Sequence, residues 1–360
     1  MRSKTPIAGI LLAGIIAWQC SSPADHEITW TEGRATAITI SAKVYGRLSP
    51  DSIAGQFAIR LSNSTTGQNM LGNWSWVDDQ LTFKPVISFS RGYTYKLFRK
   101  NNLILQFSIP EDDRAPVPEV TGIYPSADTV PENLLKVYLQ FSTPMASGKS
   151  LEHITLVRNN SDTLSGTFLD LQPELWNTDG TCLTLWLDPG RIKQGLIPNE
   201  TLGELLKMGD SYTLTISHGW LSRQGKKSIK DRVMTFFVGP RDDRKPDISR
   251  WRISRPRKGT KDTLRIEFPE ALDFLLIKST ITVEDPLGKK VPGEIIINKD
   301  EKIMLFAPAN RWTSGSYLLD ADPQLEDLAG NNLARPFDRD LLKDAPPDAR
   351  SKFTRRINIE

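Results

Sequence analysis

The chain has only two cysteines in 360 residues, Cys20 and Cys182, and only three histidines, His26, His153 and His218. That excludes a disulfide-stapled scaffold and a zinc site of the usual Cys/His kind. An excess of one charge sign is missing too. The 46 Lys+Arg against 43 Asp+Glu leave +3, too balanced for the electrostatic footprint of a nucleic-acid binder. The sequence holds no phosphate loop, dinucleotide fingerprint or nucleophile elbow. Ser217 adjoins His218, and Asp78 adjoins Asp79, but neighbours on a strand point to opposite faces, so neither pair reads as a catalytic couple. No catalytic residue, metal or cofactor is expected, and the chain reads as a non-enzyme. Helical periodicity is confined to Asn199–Lys207 and Glu270–Leu276.

One apolar run stands out, Ile7–Trp18, preceded by Arg2 and Lys4 and followed by Cys20. Twelve residues rise about 18 Å as a helix, short of the roughly 30 Å hydrocarbon core, so the run reads as a cleaved export signal over residues 1–19. Cys20-Ser-Ser-Pro23 resembles the lipidation site of bacterial lipoproteins, in a loose form similar to that of Bacteroidetes. The resemblance implies an acylated Cys20, a flexible tether over 20–31, and a cell-envelope address at the outer membrane or cell surface. Asp51-Ser-Ile53, Asp128-Thr-Val130, Asp162-Thr-Leu164 and Asp262-Thr-Leu264 resemble the O-glycosylation acceptors of the same group.

The rest of the chain repeats itself. Phe107-Ser-Ile-Pro-Glu-Asp-Asp-Arg-Ala-Pro116 recurs as Phe237-Val-Gly-Pro-Arg-Asp-Asp-Arg-Lys-Pro246, each ending an apolar run in charge and proline that no sheet ladder continues. Leu81-Thr-Phe83-Lys-Pro85 followed by Gly92 and Tyr95 has a counterpart in Ile303-Met-Leu-Phe306-Ala-Pro308 followed by Gly315 and Tyr317. The middle copy, Leu183-Thr-Leu-Trp186-Leu-Asp-Pro189, reaches its Gly209 and Tyr212 only after a longer stretch. Short alternating strands at this spacing predict tandem antiparallel β-sandwiches at 32–110, 117–239 and 247–342, with a loop inserted at 190–208 and a tail at 343–360.

Val120-Thr-Gly-Ile-Tyr124-Pro125, Phe141-Ser-Thr-Pro-Met145 and Leu325-Glu-Asp-Leu-Ala-Gly-Asn-Asn-Leu333 resemble the bacterial Ig-like domains of S-layer proteins and surface lipoproteins. The resemblance implies an all-β chain of three Ig-like sandwiches and says almost nothing of function. The expected role is lipid-anchored binding or scaffolding of an envelope protein or glycan, with membrane contact through the anchor and no nucleic acid. A carbohydrate-binding accessory role is the alternative and a hydrolase a distant one.

Two groups of residues are candidates for such binding. Arg191 and Lys193 in the inserted loop, with Glu174 and Trp176 before it, offer cations and an indole to a partner; the competing expectation is that Arg191 pairs with Glu174 or Asp188 and braces the sandwich. Trp74 and Trp76 share one face of a strand and would stack on a sugar if that face is outward, or fill the core if it is inward. The Asp-Asp-Arg-x-Pro joints are expected to be solvated Asp–Arg pairs that stiffen a linker, not calcium sites.

Overall fold

A computed structural model describes residues 25–45, 55–62, 68–77, 80–339 and 346–360. Residues 1–19 (expected to be an export signal), Cys20, the Asp51–Ile53 triplet and the Asp78–Asp79 pair lie outside them. The chain forms two compact units, Met1–Pro110 and Glu111–Glu360.

The first unit is one sandwich: β1 (His26–Thr31), β2 (Arg34–Ile40), a helical turn α1 (Ala42–Tyr45), β3 (Phe57–Leu61), β4 (Gly72–Val77), β5 (Gln80–Pro85), β6 (Thr94–Arg99) and β7 (Asn102–Ser108). Its sheets run β1-β2-β5-β4 and β3-β6-β7. Alternation sets the layers: Ile38, Ile40, Leu81, Phe83, Ile59 and Leu97 point inward and are fully buried, with polar residues between them facing out.

The second unit holds two sandwiches. One comprises β8 (Val120–Tyr124), β9 (Thr129–Pro131), β10 (Lys136–Phe141), β11 (Ile154–Arg158), β12 (Asp162–Leu164), β13 (Cys182–Trp186), the short helices α2 (Pro189–Ile192) and α3 (Ile197–Leu202), β14 (Ser211–Ile216) and β15 (Arg232–Gly239). The other comprises β16 (Arg252–Ser254), β17 (Leu264–Glu267), α4 (Phe274–Thr280), β18 (Ile281–Glu284), β19 (Gly293–Ile297), β20 (Ile303–Pro308), β21 (Gly315–Ala321) and β22 (Phe353–Ile359). Their sheets are β13-β10-β8 with β12-β11-β14-β15-β9, and β16-β17-β20-β19 with β18-β21-β22. Apart from the parallel contact of β15 with β9, the strand pairs of the described residues are antiparallel. The third sandwich repeats the first strand for strand, so the chain is three tandem Ig-like antiparallel sandwiches.

The sequence repeats mark equivalent places. Gly72 opposes Pro85 and Trp74 opposes Phe83 in the first sandwich; Gly293 opposes Pro308 and Ile295 opposes Phe306 in the third. Both glycines are needed for room, because a Cβ at either would collide with the ring of Phe83 or Phe306, two residues along the partner strand, and with a carbonyl of that strand.

Two edges of the organisation differ from expectation. Residues 26–31 are not tether: β1 pairs with β2 from His26↔Ile40 to Thr31↔Arg34. Residues 353–359 are not tail: β22 pairs along the whole of β21, and Phe353, Ile357 and Ile359 lie in the third core. The helices also shift, to Ile197–Leu202 and Phe274–Thr280, since Pro198 sits in the first turn of α3 and Asp273 caps α4.

Candidate functional site

The richest polar chemistry lies where the second and third sandwiches meet. Asp273, at the N-cap of α4, receives the backbone N–H groups of Leu275 and Leu276 on one carboxylate oxygen, at 3.0 Å each. Its other oxygen receives Tyr138 Oη at 2.6 Å and Lys136 Nζ at 3.1 Å, both from β10 of the neighbouring sandwich. Lys136 also reaches Glu326 at 2.6 Å. Burial alone would lower the Lys136 ammonium, but the two carboxylates outweigh it and hold it above the usual lysine range; burial and Asp273 raise the Tyr138 phenol. Beside this network the Tyr124 and Phe274 rings stack at 3.6 Å, and Tyr138, Cys182 and Phe274 form a small core of their own. Burial pushes the Cys182 thiol up to about 11, which makes it an inert packing group.

Further along the joint, Glu301 is wholly buried and accepts from Ser126, by its N–H at 2.9 Å and its hydroxyl at 2.6 Å. The Asp327–Asn331 turn packs on Leu135, which lies close enough that Gly330, at φ +82°, has no room for a side chain. Leu135 N–H donates to Leu328 carbonyl at 3.0 Å.

The second Asp-Asp-Arg joint is built into this contact and is not a solvated ion pair. The Asp242 carbonyl accepts from the side-chain amides of Asn133 at 2.7 Å and Asn331 at 2.9 Å, one from each sandwich. Its carboxylate turns back on the Arg244 N–H at 3.0 Å, and the Arg241 guanidinium instead pairs with Asp243 and Asp338. A short polar side chain here satisfies the backbone two residues on, which the sequence pattern could not distinguish from an Asp–Arg pair.

Carboxyl oxygens of Asp242, Glu270 and Asp327 lie within 4.8 Å of one another. Burial, then the charge of Asp242, pushes Asp327 up to about 8 and Glu270 up to about 7. Asp327 already accepts from Ala329 N–H, Asn331 N–H and the Asn331 amide. Asp327 and Glu270, kept protonated by burial and by the neighbouring charge, make the group a proton-holding cluster inside the joint.

The inserted loop braces the same joint. Asp188 caps α2 through Gly190 N–H at 2.9 Å, and Arg191 donates to the carbonyls of Gly203 at 2.9 Å and Leu202 at 3.2 Å. Arg191 therefore closes the end of α3 and pairs with neither Glu174 nor Asp188. Lys193 lies 4.4 Å over the Phe337 ring, and Gln194 N–H donates to Asp338 at 2.9 Å, both across to the third sandwich. Glu174 accepts from Gly148 N–H, Ser150 N–H and Trp176 Nε1, at 2.7–2.8 Å, and pins a neighbouring loop. Trp176 is half-buried against Phe141 and Trp220. The four candidate residues are thus not brought together around a common opening.

Trp74 and Trp76 face inward. Trp74 packs on Phe57 and Phe83, with ring centres 5.6 and 4.6 Å away, and Trp76 meets Tyr45 edge-on at 5.3 Å. That removes the indole platform on which the sugar reading stood. His218 contacts Asp231 at 2.7 Å, with both side chains open to solvent; His153 stacks on Trp220 and lies 3.4 Å from Ser217 Oγ, with no carboxylate on its ring.

No family model matches the chain, and no curated protein does. Among solved structures, a titin tandem, I9–I11, is 10% identical over 81% of this chain and 89% of its own, at a TM-score of 0.18. A three-Ig titin fragment, I67–I69, is 10% identical over 90% and 91%, at 0.17. An Escherichia coli alpha-2-macroglobulin fragment is 11% identical over 68% and 72%, at 0.24. At such scores the likeness carries no argument of its own, and the fold rests on the strand pairings above.

Proposed function

We propose that this chain is a lipid-anchored envelope protein that binds or scaffolds without catalysis. One observation carries the scaffolding half: two of its sandwiches are fused through buried, mutually satisfied polar groups into a single unit, as a spacer that holds its surfaces at fixed separation requires. The basic stretch, the apolar run and Cys20 support the anchored half, since acyl chains on that cysteine would hold the unit at a membrane surface. Cys20→Ala tests it: the variant leaves the membrane fraction, or accumulates unprocessed, while the parent partitions into detergent. Unchanged partitioning of the variant overturns the anchor.

A further inference from the structure

The three sandwiches share a sheet edge, and they finish it differently. In the first, the edge strand β4 carries Trp74 and Trp76, whose indoles close the gap between its two sheets against Phe57, Phe83 and Tyr45. In the second, the equivalent place opposite Leu183 is taken by Trp176. In the third, the residues in register with Trp74 and Trp76 are Ile295 and Ile297, and the gap stays open. A groove of about 610 Å³ runs there between β18 and β19, floored by Ile281, Val283, Ile295 and Phe306 and flanked by Lys278 and Lys290.

Both walls of the groove are sheet edges. β19 is hydrogen-bonded to β20 and to no other strand of the described residues, so one side of its backbone is unpaired over five residues, a length of about 17 Å. β18 is an edge as well. The returning chain covers it only as far as the Val291 N–H to Val283 carbonyl bond and the Glu284↔Lys290 bridge, so among the described residues the outer backbone edge of Ile281 and Thr282 has no strand partner, although the Ile281 side chain is buried. Neither flanking lysine has a carboxylate partner; Lys278 rests 4.3 Å over the Phe274 ring and Lys290 projects into solvent. Glu294 is the one acid on the groove.

We propose that this edge of the third sandwich takes an extended peptide segment of a partner protein, alternating apolar and small polar residues and acidic at each end. The segment would pair with the backbone of β19. Its apolar side chains would fill the space that indoles fill in the sister sandwiches, and its two acidic ends would meet Lys278, before the start of β18, and Lys290, opposite its last residue Glu284. The free backbone edge favours a peptide over an acyl chain, which has no donors or acceptors to place on it. The inference does not rest on the lipid anchor and stands or falls separately from it.

The test uses the purified full chain and a labelled peptide of about eight residues, valine alternating with threonine and one glutamate at each end, followed by fluorescence anisotropy. Saturable binding in the tens of micromolar is expected. Ile295→Trp, which copies the first sandwich, should weaken it about tenfold without lowering the melting temperature. Lys278→Glu with Lys290→Glu should weaken it similarly and restore binding to a peptide whose glutamates are replaced by lysines. If the tryptophan variant fails to fold, the lysine reversal, made on exposed side chains, decides alone. No saturation at about 1 mM peptide, or binding indifferent to both variants, overturns the proposal. So does a dimer in sedimentation that Ile295→Trp dissolves, which would assign the edge to a second copy. Palmitate uptake by a chain that ignores the peptide would assign the groove to an acyl chain and overturns it as well.

Discussion

The two Asp-Asp-Arg-x-Pro phrases are near copies in sequence and make the same local turn, Asp112 accepting from Arg114 N–H and Asp242 from Arg244 N–H, each at 3.0 Å. Their surroundings could hardly differ more. Around the first, Lys226 reaches Glu111 and Asp113 at 3.4 and 3.5 Å, and the Asp113 side chain is 92% exposed. Around the second, two asparagines grip the Asp242 carbonyl and two more carboxyls crowd its side chain. A linker phrase thus encodes a turn. In the second unit the turn becomes part of a weld between two sandwiches because of what they bring to it, and the difference from the first can be measured.

The largest effect should come from Lys136, whose side chain is 11% exposed and serves two carboxylates at the weld. Lys136→Ala leaves Asp273 buried and short of its cation, and should cost the second unit about 3 kcal/mol in urea unfolding. A loss under about 1 kcal/mol would mean the weld does not depend on that charge. A smaller effect should follow pH. Asp327 and Glu270 are raised in the folded chain, to about 8 and about 7, so folding favours their protonated forms. The stabilisation is full below the ordinary carboxylate range and is lost as pH climbs through 7 and 8. Between about pH 6 and 9 the melting temperature should fall by the equivalent of 1–2 kcal/mol, discounted for the solvent that reaches Glu270. Glu270→Gln should flatten the lower part of that slope; a protein that gains stability over the same range breaks the account. The smallest effect belongs to the exposed turn: Lys226→Ala should change stability by less than about 0.5 kcal/mol, and a larger loss would erase the contrast between the two joints.

How much of this was legible in the sequence follows the range of each interaction. Strand alternation and the Phe83/Pro85 and Phe306/Pro308 echoes are local, and they locate the sandwiches. β22 was legible too: Phe353, Ile357 and Ile359 fall on alternate positions, but Arg355 and Arg356 between them make the stretch look like a charged tail. Arg355 in fact reaches back to the Ile248 carbonyl at 2.7 Å, its charge satisfied at a distance no pattern reveals. β1 hid for a related reason, since His26-Glu-Ile-Thr-Trp-Thr31 is mostly polar and one of its faces is open. The weld was illegible outright. Lys136, Tyr138, Asp273 and Glu326 are ordinary surface residue types, and only the docking of two finished sandwiches makes them partners.

That docking sets an order of events for a chain made from its amino terminus. Lys136 meets Asp273 only after 137 further residues have been added, and Glu326 only after 190. Until then the second sandwich, even if its own strands have closed, shows a lysine, two tyrosines and a thiol on a face meant for burial. An emerging chain must therefore pass through a half-built form whose sticky side is the one its own carboxyl-terminal part will later cover, and anything that stalls synthesis between the two would leave that face available to strangers.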